Sequence, residues 1–217
     1  NSLLDLKVKA PKTSKSNPLM PAYISIISTT EANEIGLSIC PAKKGTGMSG
    51  THDRDFNEDM IELQRQGVTH LVGLMPDSEL YEYEALDLLD KTELYAIKYH
   101  HFPWQDRKLP DVTELFWMTK KIHEIIERGE RVVVHCRGGL GRTGVFVAGV
   151  LCHDGIHVDD MLQVLNDARG PLCPETTEQQ EFIRYIACKA MILRGDRMSR
   201  ARPIKDQRAK RIYAELS

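Results

Sequence analysis

Between Arg131 and Leu151 the chain passes from a β-branched run, Arg-Val-Val-Val, through His-Cys-Arg-Gly-Gly-Leu-Gly-Arg-Thr-Gly into an apolar stretch, Gly-Val-Phe-Val-Ala-Gly-Val-Leu. The first segment reads as a short buried strand and the last as an apolar helix, so the ten residues from His135 to Gly144 join a strand end to a helix start. That junction suits an anion. The first turn of a helix carries unpaired N–H groups and the positive end of the macrodipole. Gly138, Gly139 and Gly141 lack a Cβ, so successive amides can converge on one point and the backbone can approach a ligand closely. The backbone from Arg137 through Gly138, Gly139, Leu140 and Gly141 to Arg142 therefore reads as a cradle for phosphate.

The residue types inside the loop fit that reading. A thiol at a helix N-terminus beside a guanidinium is favoured as the nucleophilic thiolate, which is the chemistry available to Cys136. Arg142, six positions later, offers two parallel N–H donors to phosphate oxygens, a fork that lysine lacks. Thr143 is placed to donate its hydroxyl to the Cys136 sulfur, and His135 to orient the loop. Arg137 could add charge at the pocket mouth. A buried cysteine alone is ordinarily a small hydrophobe, and a glycine turn alone is only a turn, but here strand, His-Cys pair, glycines, Arg-Thr and helix agree on one geometry. A nucleotide loop of the Gly-Lys-Ser/Thr kind is excluded, because no lysine precedes Thr143.

Along the rest of the chain, strand and helix signals alternate. Ala22 to Ile27 and Gly36 to Ile39 read as strands, and Phe56 to Gln66 as a helix with Phe56, Met60, Ile61 and Leu63 on its apolar face, stopping at Gly67. Val68 to Leu74 reads as a strand. Ser78 to Asp90 reads as a helix whose acidic residues form a solvated face and no binding site. A strand is expected over Tyr95 to Tyr99, followed by a helix over Val112 to Glu127 with Asp111 as N-cap and Leu115, Phe116, Met118, Ile122, Ile125 and Ile126 as core. Helices over Arg142 to His153, Val158 to Ala168 and Thr177 to Leu193 complete the pattern. The expectation is an α/β fold with a mostly parallel central sheet of about five strands, helices on both faces, and the site at the carboxyl ends of the strands. Residues 1–21 read as a flexible lead, 22–194 as one catalytic domain, and 195–217 as a basic tail.

The loop resembles the signature of the cysteine-dependent protein phosphatases, His-Cys, five residues, then Arg-Ser/Thr. Gly-Leu-Ser-Ile-Cys-Pro at 36–41, His-Asp-Arg-Asp at 52–55 and Gln-Gly-Val-Thr at 66–69 bring the resemblance closest to the dual-specificity group and its kinase-associated phosphatases. It covers roughly Gly36 to Leu193 and implies a cysteine-phosphatase fold. It also implies hydrolysis of phosphotyrosine, and of phosphoserine or phosphothreonine, through a cysteinyl phosphate, with neither metal nor cofactor. Expelling the leaving oxygen needs a proton donor. Asp106, in His-His-Phe-Pro-Trp-Gln-Asp at 100–106, lies on a loop ahead of Cys136 in the order the family uses. Its rival, Asp111, is explained by capping. The family often positions the hydrolytic water with a glutamine. The stretch Glu175 to Gln180 lies where that residue should be, but it begins Glu175-Thr176 where many relatives have Gln-Thr. Gln179 then becomes the candidate, with the role of Glu175 open.

Composition narrows the classes further. The 217 residues, 41% of them hydrophobic, suffice for one substantial core, and a formal net charge of −2 does not suggest nucleic acid as a partner. No apolar run nears the roughly twenty residues that span a bilayer, and no signal peptide is visible. Five cysteines without a close pair favour a reducing, cytoplasmic setting; Cys40, Cys152, Cys173 and Cys188 read as core or structural. The expected partner is a phosphorylated protein. The basic residues after Arg194 could touch an acidic partner or a phosphoinositide surface. Arg54, between Asp53 and Asp55, reads as a local ion-pair former near a helix start. His100 and His101 are adjacent on a strand, so their side chains diverge and do not form a metal pair. Two other readings compete: the same chemistry on a phosphoinositide or other non-protein phosphate, and a phosphate-binding module without turnover.

Overall fold

The three valines of Arg131–His135 (β8) sit at the centre of the molecule, and all three are fully buried. Only a central strand covered on both faces places successive side chains out of water on both sides. In this computed structural model, which describes residues 5–9, 19–27, 32–47 and 50–195, β8 lies between Ala32–Ser38 (β3) and Val68–Gly73 (β6), parallel to both. Lys98–His101 (β7) extends the sheet in parallel beyond β6. Ala22–Ile27 (β2) and Asp5–Lys9 (β1) add to the other edge in antiparallel fashion, giving the order β1-β2-β3-β8-β6-β7. The sheet is therefore mixed and six-stranded, against the expected five, because β1 forms within the stretch read as a flexible lead. Lys44–Gly47 (β4) and Gly50–Asp53 (β5) make a separate hairpin.

Helices cover both faces. Val132 and Val134 pack with residues of Val112–Glu127 (α3), Gly141–His153 (α4), Val158–Arg169 (α5) and Thr177–Leu193 (α6). Val133 faces Met60 and Leu63 of Phe56–Arg65 (α1) and Leu80 of Asp77–Glu82 (α2) on the other side. Asp55 caps α1 by accepting the Glu58 N–H at 2.9 Å, and Asp111 caps α3 by accepting that of Glu114 at 2.9 Å. α3 and α4 approach closely where Gly149 stands, since a Cβ there would lie 2.8 Å from Thr119 Cγ2.

Four local expectations are corrected. The helix expected over Ser78 to Asp90 closes after Glu82, because Glu84 turns left-handed (φ +53°) and the Ala85 N–H bonds back to the Leu80 carbonyl. The chain continues as 3-10 turns at Leu86–Leu89 and Thr92–Tyr95. The second turn ends at left-handed Ala96, which delays β7 to Lys98. Ile61, expected on the apolar face of α1, is 54% exposed, and Phe116 is only partly buried. The basic tail lies outside the described residues beyond Gly195.

Arg54 forms its ion pair locally, as expected, with Asp59 in the first turn of α1. Its Nε and Nη2 reach the two carboxylate oxygens at 2.8 and 2.6 Å, and Asp59 Oδ2 also accepts the Ala42 N–H at 2.7 Å. Both side chains are buried. Removing one partner of a buried ion pair leaves an uncompensated charge, so Asp59→Ala should lower unfolding free energy by about 3–5 kcal/mol in a denaturant titration. A second prediction concerns acid. Burial lowers the pKa of His100 from 6.5 to about 4, with His70, Lys121 and Lys98 pushing the same way. The unfolded chain thus binds a proton that the fold refuses, and the stability from a neutral His100 is present above about pH 6.5 and lost as the pH falls towards 4. Melting temperature should fall over that window, and His100→Gln should flatten the fall.

Candidate active site

β8 delivers Cys136 to the carboxyl end of the parallel strands, and the loop from Cys136 to Leu140 then turns into α4. No side chain caps the N-terminus of α4. The Gly139 N–H donates to Cys136 Sγ at 3.2 Å. Gly139 is left-handed (φ +68°), and a Cβ there would stand 2.4 Å from the Ser38 carbonyl oxygen, so only glycine lets the loop lie against the end of β3.

The loop carbonyls are turned outward and held from behind. Arg169, at the end of α5, donates to the carbonyls of Gly138 at 2.9 Å and Gly139 at 3.2 Å. The Cys173 thiol donates to that of Leu140 at 3.4 Å. The Arg137 carbonyl accepts from the Cys40 N–H and from Lys43 Nζ, each at 3.5 Å. With the carbonyls committed outward, amides are left to face the sulfur side.

Arg142 is fully buried. Its Nη1 and Nη2 meet the two Glu79 oxygens at 2.9 and 2.7 Å, and Nη1 also donates to the Trp104 carbonyl at 3.0 Å. Burial works against the charge, but the Glu79 bond and the negative charges of Cys136, Glu79 and Asp106 outweigh it and raise the pKa. Nε has no partner, and Nη2 lies 3.3 Å from Asp106 Oδ1. The end of the guanidinium is thus taken by Glu79, Asp106 lies beside Nη2, and Nε alone is left without a protein partner, so an oxyanion on this side would compete with Asp106. Glu79 lies in the segment expected to be a solvated acidic face with no binding role. That expectation is corrected, because the first turn of α2 brings a half-buried Glu79 onto Arg142.

Asp106 sits on the loop after β7. The Phe102 N–H bonds to the Gly73 carbonyl at 2.9 Å and the Trp104 N–H to that of Leu74 at 3.3 Å, which stitch the loop start to the end of β6. Asp106 Oδ2 pairs with Arg137 Nη2 at 2.8 Å, so Cys136, Arg137, Arg142 and Asp106 are brought together. Asp111 stands apart as the cap of α3. Arg107 turns the other way, with Nη2 3.6 Å from Glu175 Oε1.

His135 is buried, and its Nε2 lies 3.1 Å from the Tyr99 hydroxyl. Burial lowers its pKa from 6.5 to about 3, against the pull of the Cys136 backbone, so it stays neutral. The expected Thr143 bond to sulfur is not made. Thr143 is in the first turn of α4, its Oγ1 is buried without a partner, and the Gly139 amide approaches the sulfur instead. Gln179 is fully buried; its Oε1 accepts the Glu175 and Thr176 N–H groups at 3.1 Å each in a capping box. Its Nε2 has no partner and faces Gly141, where a Cβ would be 2.8 Å away. His100 and His101 diverge as expected, His100 to His70 and His101 Nε2 to the Met75 carbonyl. No group of three or more His, Cys, Asp or Glu is placed to hold a metal among the described residues. Sequence reasoning missed Glu79 and Arg169. The only trace of Arg169 was its place beside the Gly170-Pro171 break.

Comparison with known proteins agrees with this geometry. The family model described as "Polymorphic toxin system, DSP-PTPase phosphatase" matches residues 46–156, just over half of the chain. Rat cyclin-dependent kinase inhibitor 3 is 23% identical over 205 residues, spanning 94% of this chain and 95% of that one. Among solved structures, a kinase associated phosphatase with its catalytic cysteine changed to serine superposes with a TM-score of 0.70 at 22% identity, covering 81% of this chain and 97% of the other. Tk-PTP in its active form superposes at 0.56 with 25% identity, covering 73% and 94%. The first of these structural likenesses supports the fold alone. With half its length matched by the family model, and with the cysteine, arginine and carboxylate gathered at the strand ends, the chain belongs to the DSP-PTPase phosphatase family, within the cysteine-dependent protein-tyrosine and dual-specificity class of enzymes.

Proposed function

We propose that the chain hydrolyses phosphomonoesters of proteins, on phosphotyrosine and on phosphoserine or phosphothreonine, through a covalent phosphocysteine. The observation that carries the reading is that one loop holds Cys136 Sγ against the Gly139 amide and also brings Arg137 and Arg142 onto the Asp106 carboxyl. The Cys136 thiolate attacks phosphorus in line, and the S–P bond forms as the P–O bond to the leaving group breaks. Asp106 gives its proton to the departing oxygen. Loop amides from Arg137 to Gly141 and the Nε/Nη2 edge of Arg142 hold the equatorial oxygens, whose charge they neutralise without reorganising. Water then attacks phosphorus, its proton passes to Asp106, and the S–P bond breaks to return the thiolate. Gln179 and Glu175 flank Gly141, and Gln179 is the candidate for placing that water.

A phosphoprotein is the substrate class to test first, since the relative spanning 94% of the chain is named a cyclin-dependent kinase inhibitor and a structure covering 81% of it is of a kinase associated phosphatase. The described residues include no helix long and apolar enough to cross a membrane. A cytoplasmic location and a contact of the basic tail with an acidic partner or phosphoinositide surface stand as further proposals.

Cys136→Ser should abolish phosphate release from phosphotyrosyl and phosphothreonyl peptides; turnover that survives it would remove the thiolate from the reaction. Asp106→Ala should lower kcat by about 10²–10⁴-fold for a poor leaving group and much less for p-nitrophenyl phosphate, which departs without a proton. Phosphoinositides turned over faster than both peptides would favour the non-protein reading. Glu79→Gln should cut kcat/KM by up to about 10²-fold through a misaimed Arg142, with vanadate affinity falling in step.

A further inference from the structure

Asp106 is held by less than its role requires. Between Trp104 and the α3 cap at Asp111, the only backbone hydrogen bond among the described residues is Lys108 N–H to the Gln105 carbonyl, a single turn. The peptide fixes the start of the loop against β6 but does not aim the carboxyl. What aims it is charge. The shortest contact Asp106 makes is Oδ2 to Arg137 Nη2 at 2.8 Å, against 3.3 Å from Oδ1 to Arg142. Arg142 must also serve the phosphate, and a bound dianion would compete with Asp106 for its open edge. Arg137 carries no such double duty.

Arg137 is itself anchored. Its carbonyl is pinned by the Cys40 N–H and by Lys43 Nζ, and the nearby Tyr83 side chain helps to hold its guanidinium charged. The buried Lys43 ammonium lies over the Tyr83 ring, 5.1 Å from its centroid. Burial works to lower the Arg137 pKa, but Asp106 and Tyr83 outweigh it and raise it, so the side chain stays charged. Lys43 and Tyr83 thus hold the residue next to the nucleophile from behind while its guanidinium reaches forward to the acid.

We infer that Arg137 is the positioning residue for the general acid, a post on the phosphate loop to which Asp106 docks so that its proton is delivered over Cys136, rather than a ligand of the phosphate. The inference rests on the reading of Asp106 as the acid. It ties two halves of the site that come from different elements. Because the post and the nucleophile are adjacent in the chain, the distance from acid to phosphorus is set by one peptide and one contact, Arg137 Nη2 to Oδ2, which leaves Oδ1 to carry the proton.

The test is a double-mutant cycle read with two substrates. Arg137→Gln should lower kcat about 10- to 100-fold on phenyl phosphate, where the leaving group needs the proton, and by no more than about 3-fold on p-nitrophenyl phosphate, with KM for both nearly unchanged. In an Asp106→Asn background, Arg137→Gln should cost nothing further. Arg137→Lys, which keeps the charge, should recover part of the loss on phenyl phosphate, an outcome that a mere packing role would not give. Equal losses on both substrates, a rise in KM as large in the Asp106→Asn background as in the native one, or full additivity of the two substitutions would each overturn the inference and leave Arg137 as a phosphate ligand. An Asp106→Asn enzyme as fast as the native chain on phenyl phosphate would overturn the acid assignment itself, and with it the post.

Discussion

A guanidinium with no access to water has to be matched by protein, and Arg142 is matched by Glu79 and by the carbonyl of Trp104. Left unpaired, a buried charge costs several kcal/mol, so the fold is obliged to bring α2 and the start of the acid loop to the place where α4 begins. Glu79 takes both Nη groups at once, which fixes the plane of the guanidinium and leaves Nε and one face of Nη2 directed at the cradle. One ion pair therefore sets how the Arg142 guanidinium is presented at the strand ends, and it gathers pieces of α2, the loop after β7 and α4.

The cradle itself is built by subtraction. The Gly139 amide reaches the sulfur while the carbonyls of the same loop are claimed elsewhere, by Arg169, Cys173, Lys43 and the Cys40 N–H. Glycine at 139 is demanded twice, by its left-handed backbone and by the Ser38 carbonyl pressed against it. The parallel order of β3, β8 and β6 sets this up, since it places the ends of all three strands on one side of the sheet. The Arg54–Asp59 pair acts at a further remove by holding the Ala42–Lys43 segment whose ammonium backs the loop.

Legibility in the sequence tracked whether a feature is local. The helices 112–127 and 177–193 were readable because capping and a 3.6-residue apolar period act within the segment itself, and both appear with the expected bounds. The helix expected over 78–90 failed because a left-handed Glu84, stabilised by a return bond from Ala85 to Leu80, overrides propensity. The flexible lead expected over residues 1–21 failed at 5–9 too, because a sequence with no period of its own becomes a strand by pairing along the edge of β2. Thr143 shows the limit within the motif: its place in the chain was plain, but the direction of its hydroxyl depends on where α4 starts.

The amino-acid order alone determined that a cysteine and an arginine would flank a glycine loop between a buried strand and a helix, because spacing, absent Cβ atoms and apolar runs are properties of contiguous residues. It could not determine which carboxylates answer the arginines. Glu79 read as one more acid on a solvated helix and became a partner of Arg142 only when the sheet brought α2 to the end of β8. Arg169 became the brace of the loop in the same way, as did Lys43 and Tyr83 for Arg137. The physical reason is that a charge pair is worth little along a flexible chain in water and much once folding has removed the water between its partners.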